Sequence, residues 1–249
     1  EYRNLYYRMH LEVDNPLDMV RKAVIKDGSR EKIIFRTSDH GDLLGAHGGL
    51  HQKWFNLYDE ATRVPFEIVK YGGTQSPKAV IDSVPTSHVD LIPTALALAG
   101  LDQNYLGEHL APQFSEFHPL PGRDLSPLLE DPGISEFKNR AVYFMTRDNM
   151  LEGDTLASAM ARGLGQAEKP PRALKIQVLS HASTNFEGIV VKITDEEVEG
   201  ISDSLWKITR SYDDPQTWTI PNVANLSSSG LMGENYRTDP LPDQWELYD

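Results

Sequence analysis

Residues 32–69, KIIFRTSDHGDLLGAHGGLHQKWFNLYDEATRVPFEIV, open on a short apolar run and break at once into polar side chains. Lys32-Ile33-Ile34-Phe35 has the β-branched and aromatic content of a buried strand. Thr37-Ser38-Asp39-His40-Gly41-Asp42 then crowds five polar side chains around one glycine. Open α/β sheets place ligands at the carboxyl ends of their strands, so this cluster is the first candidate site. Asp39 and His40 both offer donors to a divalent cation, and Asp42 is near enough to orient a ligand from behind. The loop that follows holds Gly45, Gly48 and Gly49 together with His47, His51 and Lys53. Taken alone, an Asp-His pair after a strand is more often a helix cap and a surface histidine, and a glycine-rich loop is more often a turn. The order and length of the whole pattern decide otherwise.

Thr37 to Asp42, Leu44-Gly45, His47-Gly48, Lys53 and Tyr58 to Pro65 resemble the second signature of the sulfatases. That family lies in the alkaline phosphatase superfamily, beside the phosphonate monoester hydrolases. The resemblance implies Asp39 and His40 as metal ligands and Lys53 as the cation that grips sulfate oxygens, with Arg63 structural. The run Ala46–Lys53 is one residue longer than the commonest family form. Whether Lys53 meets the substrate alone, or with His47 or His51 beside it, is left open. His47 and His51 are the in-chain candidates for a general acid or base. The implied cofactor is a divalent metal: calcium first, with Mg2+, Mn2+ or Zn2+ also compatible because His40 brings a nitrogen. The implied substrate is a small-molecule or carbohydrate sulfate ester.

The chain has no cysteine, which excludes disulfides and thiolate chemistry within it. In the sulfatase family the nucleophile is a cysteine or serine in Cys/Ser-x-Pro-x-Arg, converted to formylglycine. Ser76-Pro77-Lys78, Ser83-Val84-Pro85 and Ser126-Pro127 all lack the required pattern. The family's paired N-terminal aspartates have no counterpart either, since Asp213-Asp214 comes late and reads as a turn. The chain therefore reads as the C-terminal half of a longer enzyme, inactive alone, whose partner is its own N-terminal half. A phosphonate or phosphodiester hydrolase of the same superfamily is the nearest alternative. A non-catalytic fragment, or a degenerate homologue that binds sugar or serves as a scaffold, comes from a different class. A net charge of −13 argues against a nucleic-acid partner. No apolar run reaches the ~20 residues of a membrane span, so a soluble chain is expected, in the cytoplasm or in a periplasmic or secreted setting.

The fold expected is α/β: part of an alkaline-phosphatase-like mixed sheet sandwiched by helices, then a small antiparallel subdomain. The divisions are 1–147 for the catalytic-domain part, 148–172 for a loop or lid, and 173–249 for the subdomain. Tyr2, Leu5, Tyr6, Met9, Val13, Leu17, Val20 and Val24 recur at helical spacing, predicting a scaffold helix whose face is core, kinked or restarted at Pro16. Ser87 to Ala99 reads as a helix stopped by Gly100, with His88 and Asp90 explained by capping. That stretch, residues 121–129 and the closing ELYD also resemble sulfatase elements. Strands are predicted at Ala79–Ile81, Ala141–Met145, Leu174–Val178, Ile189–Ile193, Ser204–Thr209 and Trp218–Ile220. Arg147, just past the Ala141–Met145 run, is a candidate substrate contact at the rim of the cleft. His181 and Asp195-Glu196-Glu197 read as solvated surface.

Overall fold

The structure is a computed structural model. It describes residues 1–26, 28, 30–53, 56–72, 84–147, 178–179, 183–193, 199–200, 204–229 and 234–249. The strands predicted at Ala79–Ile81 and Leu174–Gln177, the loop from 148, His181 and the 195–197 acidic run lie outside these residues. The described elements are mixed α/β with antiparallel sheets. The chain divides into two compact units. One comprises Glu1–Gln52, Asp59–Val142 and Val191–Leu205; the other comprises Lys53–Tyr58, Tyr143–Val190 and Trp206–Asp249.

In the first unit, helix α1 (Tyr2–Lys26) runs through Pro16 without ending. Its apolar stripe forms as the spacing requires, yet none of its residues is buried, and Leu11 and Val20 are 73% and 63% exposed. The expectation of a core-facing scaffold helix is therefore corrected. Helical periodicity creates an apolar face, but only a second layer can bury it, and no described element of this unit covers it. Strand β1 (Lys32–Thr37) pairs antiparallel with β2 (Phe66–Tyr71), in register from Lys32↔Tyr71 to Thr37↔Phe66. β1 is half-buried instead of buried, because among the described residues its sheet has these two strands and no more.

Between them lie α2 (Ala46–Gly49), a tight turn with positive φ at His47, Gly48 and Gly49, and α3 (Asp59–Thr62), a single turn of helix. A 3-10 turn at His88–Asp90 leads into α4 (Leu91–Leu98). Gly100, at φ +72°, ends α4 in a Schellman motif: its N–H donates to Ala97 O and that of Leu101 to Leu96 O, both at 2.9 Å. α5 (Gln103–Leu110) is capped by Asp102, and α6 (Ser126–Glu130) follows. The apolar core of the unit is Leu125, Leu128 and Phe137, with Phe66, Val84 and Ile134 packed on it. β2 thus reaches the core through its first residue, and the ring of Phe35 stacks on Phe66 at 6.4 Å.

β3 (Ala141–Arg147), β5 (Asn185–Ile193), β6 (Ser204–Tyr212) and β9 (Gln244–Tyr248) form a four-stranded sheet in that order. β4 (Val178–Leu179), β7 (Asn225–Ser229) and β8 (Asn235–Arg237) form a three-stranded one. The run Trp218–Ile220 is not a strand: Pro215–Thr217 is a 3-10 turn, and Ile220 makes an isolated bridge to Ala224. Trp218 is buried, so its β-forming character reflects core packing. Asp213-Asp214 also differs from a plain turn. Asp213 is a buried acceptor for Arg237 Nη2 (2.6 Å) and for the Leu241 N–H (2.9 Å), while Asp214 caps the 3-10 turn.

Candidate metal centre at the end of β1

β1 delivers its carboxyl end into the Ser38–Asp42 turn, and hydrogen bonds within the turn orient the two predicted ligands. The His40 N–H donates to Asp39 Oδ1 at 2.9 Å, and Ser38 Oγ donates to His40 O at 2.8 Å. The hydrogen bond from His40 holds the exposed Asp39 carboxyl below its usual range. His40 Nδ1 lies 2.8 Å from Gly41 O, an acceptor only, so the proton sits on Nδ1. The lone pair of Nε2 is then the one presented outward, 3.4 Å from Asp39 Oδ2. Donors that far apart, each at about 2.0–2.5 Å from a cation, subtend an angle of about 100° at it, which suits tetrahedral or octahedral coordination. The pair fits two cis ligands of one ion. Among the described residues no group of three or more His, Cys, Asp or Glu is gathered for a metal.

Gly41 is demanded by close approach. A Cβ there would stand 2.0 Å from Glu60 O, while its N–H donates to Ala61 O at 2.9 Å. α3 thereby pins the ligand turn from behind. Asp42, expected to support a ligand, instead organises the loop. Its Oδ1 accepts the Leu44 N–H (2.8 Å) and Gln52 N–H (3.2 Å), and its Oδ2 accepts Tyr2 Oη–H (2.7 Å). Burial works to raise the Asp42 carboxyl, but these hydrogen bonds outweigh it and hold it below the usual range. α1 therefore touches the loop through Tyr2, and also through Arg3, which donates to Leu44 O.

The remaining predicted residues are placed separately. His47, with left-handed φ +50°, sets Nε2 3.1 Å from Glu60 Oε2. His51 meets the Tyr2 ring edge-on at 4.7 Å. Lys53 is half-buried in the second unit. Arg147, also in the second unit, donates to Thr217 O at the end of β3. The structure brings Asp39 and His40 together, and sets His47 and His51 on partners of their own. One residue read as a cap proves to be a neighbour: His88 Nε2 lies 3.2 Å from Thr37 Oγ1, the last residue of β1. Its separation of 51 positions leaves no signal in the local pattern.

The sulfatase family model matches residues 1–101. That span holds the whole Ser38–Asp42 turn and both β1 and β2. Residues 1–101 belong to the sulfatase family. The chain is also similar over part of its length to several named sulfatases. An uncharacterized sulfatase, YidJ, of Escherichia coli K12 is 31% identical over 136 residues, covering 55% of this chain and 24% of the relative. Arylsulfatase K of Danio rerio is 36% identical over 107 residues, 41% of this chain and 20% of that protein. An ulvan-active sulfatase of Formosa agariphila is 29% identical over 128 residues, 51% of this chain and 22% of that protein. The matched part thus spans a quarter or less of each relative's length. No solved structure matches significantly. No helix among the described residues is long and apolar enough to cross a membrane.

Proposed function

We propose that this chain is part of a metal-dependent sulfuric ester hydrolase and supplies two metal ligands, Asp39 and His40, but not the nucleophile. The observation that carries the reading is the pairing of Asp39 Oδ2 with His40 Nε2 at 3.4 Å, with Nδ1 held by Gly41 O. A bound divalent cation, calcium first, would polarise the sulfuryl oxygens. The chain's own part is to hold that cation's ligands at a fixed bite and exclude the wrong histidine tautomer. Lys53 is assigned to neutralising charge that develops on the sulfate group, and His47, His51 and Arg147 to acid–base or substrate contacts. The nucleophile and the remaining ligands are assigned to a further part of the same enzyme, within the larger sheet of the superfamily.

The relatives differ in the organic part that their names imply, so the substrate class is a sulfate ester, small-molecule or carbohydrate. The nitrogen at His40 favours a second reading within the superfamily, a phosphonate or phosphodiester hydrolase using manganese or zinc. The test is calorimetric titration of the metal-stripped chain with Ca2+, Mn2+ and Zn2+, followed by assay on p-nitrophenyl sulfate. One saturable site that Asp39→Ala and His40→Ala each abolish is expected, with no turnover. Metal binding indifferent to both changes would remove the assignment, and turnover by the pure chain would remove the claim that the nucleophile lies elsewhere.

A further inference from the structure

A second polar centre lies in the first unit, made of residues that the proposed metal centre does not use. Asp90 is fully buried, and its Oδ1 accepts both the Arg123 N–H (2.9 Å) and Arg140 Nη2 (2.6 Å). Its Oδ2 accepts the Ser87 N–H at 2.8 Å. Gly122 makes this possible, because a Cβ there would fall 1.9 Å from Val89 O and push the Arg123 loop off the 88–90 turn. Arg140 is only 8% exposed, and its Nη1 is buried with no hydrogen-bond partner among the described residues. A buried guanidinium nitrogen without an acceptor is costly and uncommon. Asp90 already accepts three donors, and it meets the guanidinium through Nη2 while Nη1 makes no hydrogen bond to it.

Arg140 also lines a cavity of about 460 Å³, together with Arg123, Glu136, Lys138, Asn139 and Ala141. That volume lies in the range of small-molecule sites. Three cationic side chains line it, against Glu136 on the wall and Asp90 behind Arg140, a net positive balance in a chain whose net charge is −13. A guanidinium, a second guanidinium and an ammonium around a cavity with an amide is the donor set for an oxyanion.

We propose that this cavity binds an anionic small molecule through a sulfate or phosphate group, at a site distinct from Asp39 and His40. Arg140 is held rigid by Asp90 and supplies the anchoring donors, while Arg123 and Lys138 supply exposed charge from the rim. The inference does not depend on the sulfatase reading, since it uses neither the metal ligands nor turnover.

The test titrates the metal-stripped, 15N-labelled chain with sodium sulfate and sodium phosphate at constant ionic strength held by chloride. Saturable shifts at the Asn139 and Ala141 amides are expected, unchanged in Asp39→Ala. Arg123→Gln combined with Lys138→Ala, at exposed positions that leave the Asp90–Arg140 pair intact, is expected to weaken binding roughly tenfold or more. Arg140→Lys, which keeps the charge but not the fork, is expected to weaken it further in protein whose amide spectrum is otherwise native. No saturable shift with either anion at millimolar concentration would overturn the proposal. So would equal affinity in the Arg123→Gln/Lys138→Ala variant, or shifts centred on residues 38–42.

Discussion

Asp90→Asn tests the packing that holds the first unit together. The substitution keeps the shape and removes the charge. Oδ1 now accepts two donors and Oδ2 one, so an amide in either orientation turns its NH2 against at least one N–H. A buried donor left without an acceptor costs about 1–3 kcal/mol. Breaking one side of a buried ion pair costs about 3–5 kcal/mol, because the other charge stays desolvated. Side-chain exposures of 6% for Arg140 and 0% for Asp90 place this pair in that class. The larger figure governs, since the amide clash is part of the same loss. For a chain of 249 residues, about 2–4 °C per kcal/mol converts it to a fall in melting temperature of about 6–20 °C. Urea unfolding followed by far-UV circular dichroism measures the loss directly. A decrease under about 1 kcal/mol would refute the reasoning. The double variant Asp90→Leu/Arg140→Met supplies the control. It should be more stable than Asp90→Leu alone, because no buried charge is left uncompensated.

The exposed pair Arg36–Glu67, at 3.7 Å with side chains 62% and 55% exposed, should behave oppositely, and Glu67→Gln is expected to change unfolding free energy by no more than about 1 kcal/mol. Gly41→Ala drives a methyl into Glu60 O, so it should cost about 1–3 kcal/mol and weaken divalent-cation binding, measured by urea unfolding and calorimetry on the same sample. Asp102→Ala removes the acceptor for the Asn104 and Tyr105 N–H groups and should cost about 1 kcal/mol of unfolding free energy. Glu187 is held below the usual carboxylate range first by Tyr143 Oη–H and then by Arg210. A depressed folded value means that its contribution is complete above the unfolded carboxylate range and fades as pH falls through the folded one. Tyr143→Phe should therefore flatten the acid limb of the stability–pH curve, while an unchanged slope would show that Glu187 does not carry it.

The Asp39-His40 turn was legible because its geometry is local. Asp39 and His40 are neighbours in a turn, and hydrogen bonds spanning one or two positions orient them. The end of α4 was legible for the same reason, since Gly100 supplies the positive φ that a Schellman stop needs. Residues 1–101 also carry enough ordered pattern to place them among the sulfatases. Other features depend on contacts between distant positions, which no period of two or 3.6 encodes. Asp90 fits the pattern of a cap, yet its partners Arg123 and Arg140 lie 33 and 50 residues away. Asp42 reads as support for a metal ligand, until Tyr2, 40 residues earlier, takes its second oxygen. The α1 stripe shows the converse: spacing determines that an apolar face exists, but burial depends on whether another layer lies within reach. Local chemistry is written in neighbouring side chains. Which of them meet across the fold is decided by packing.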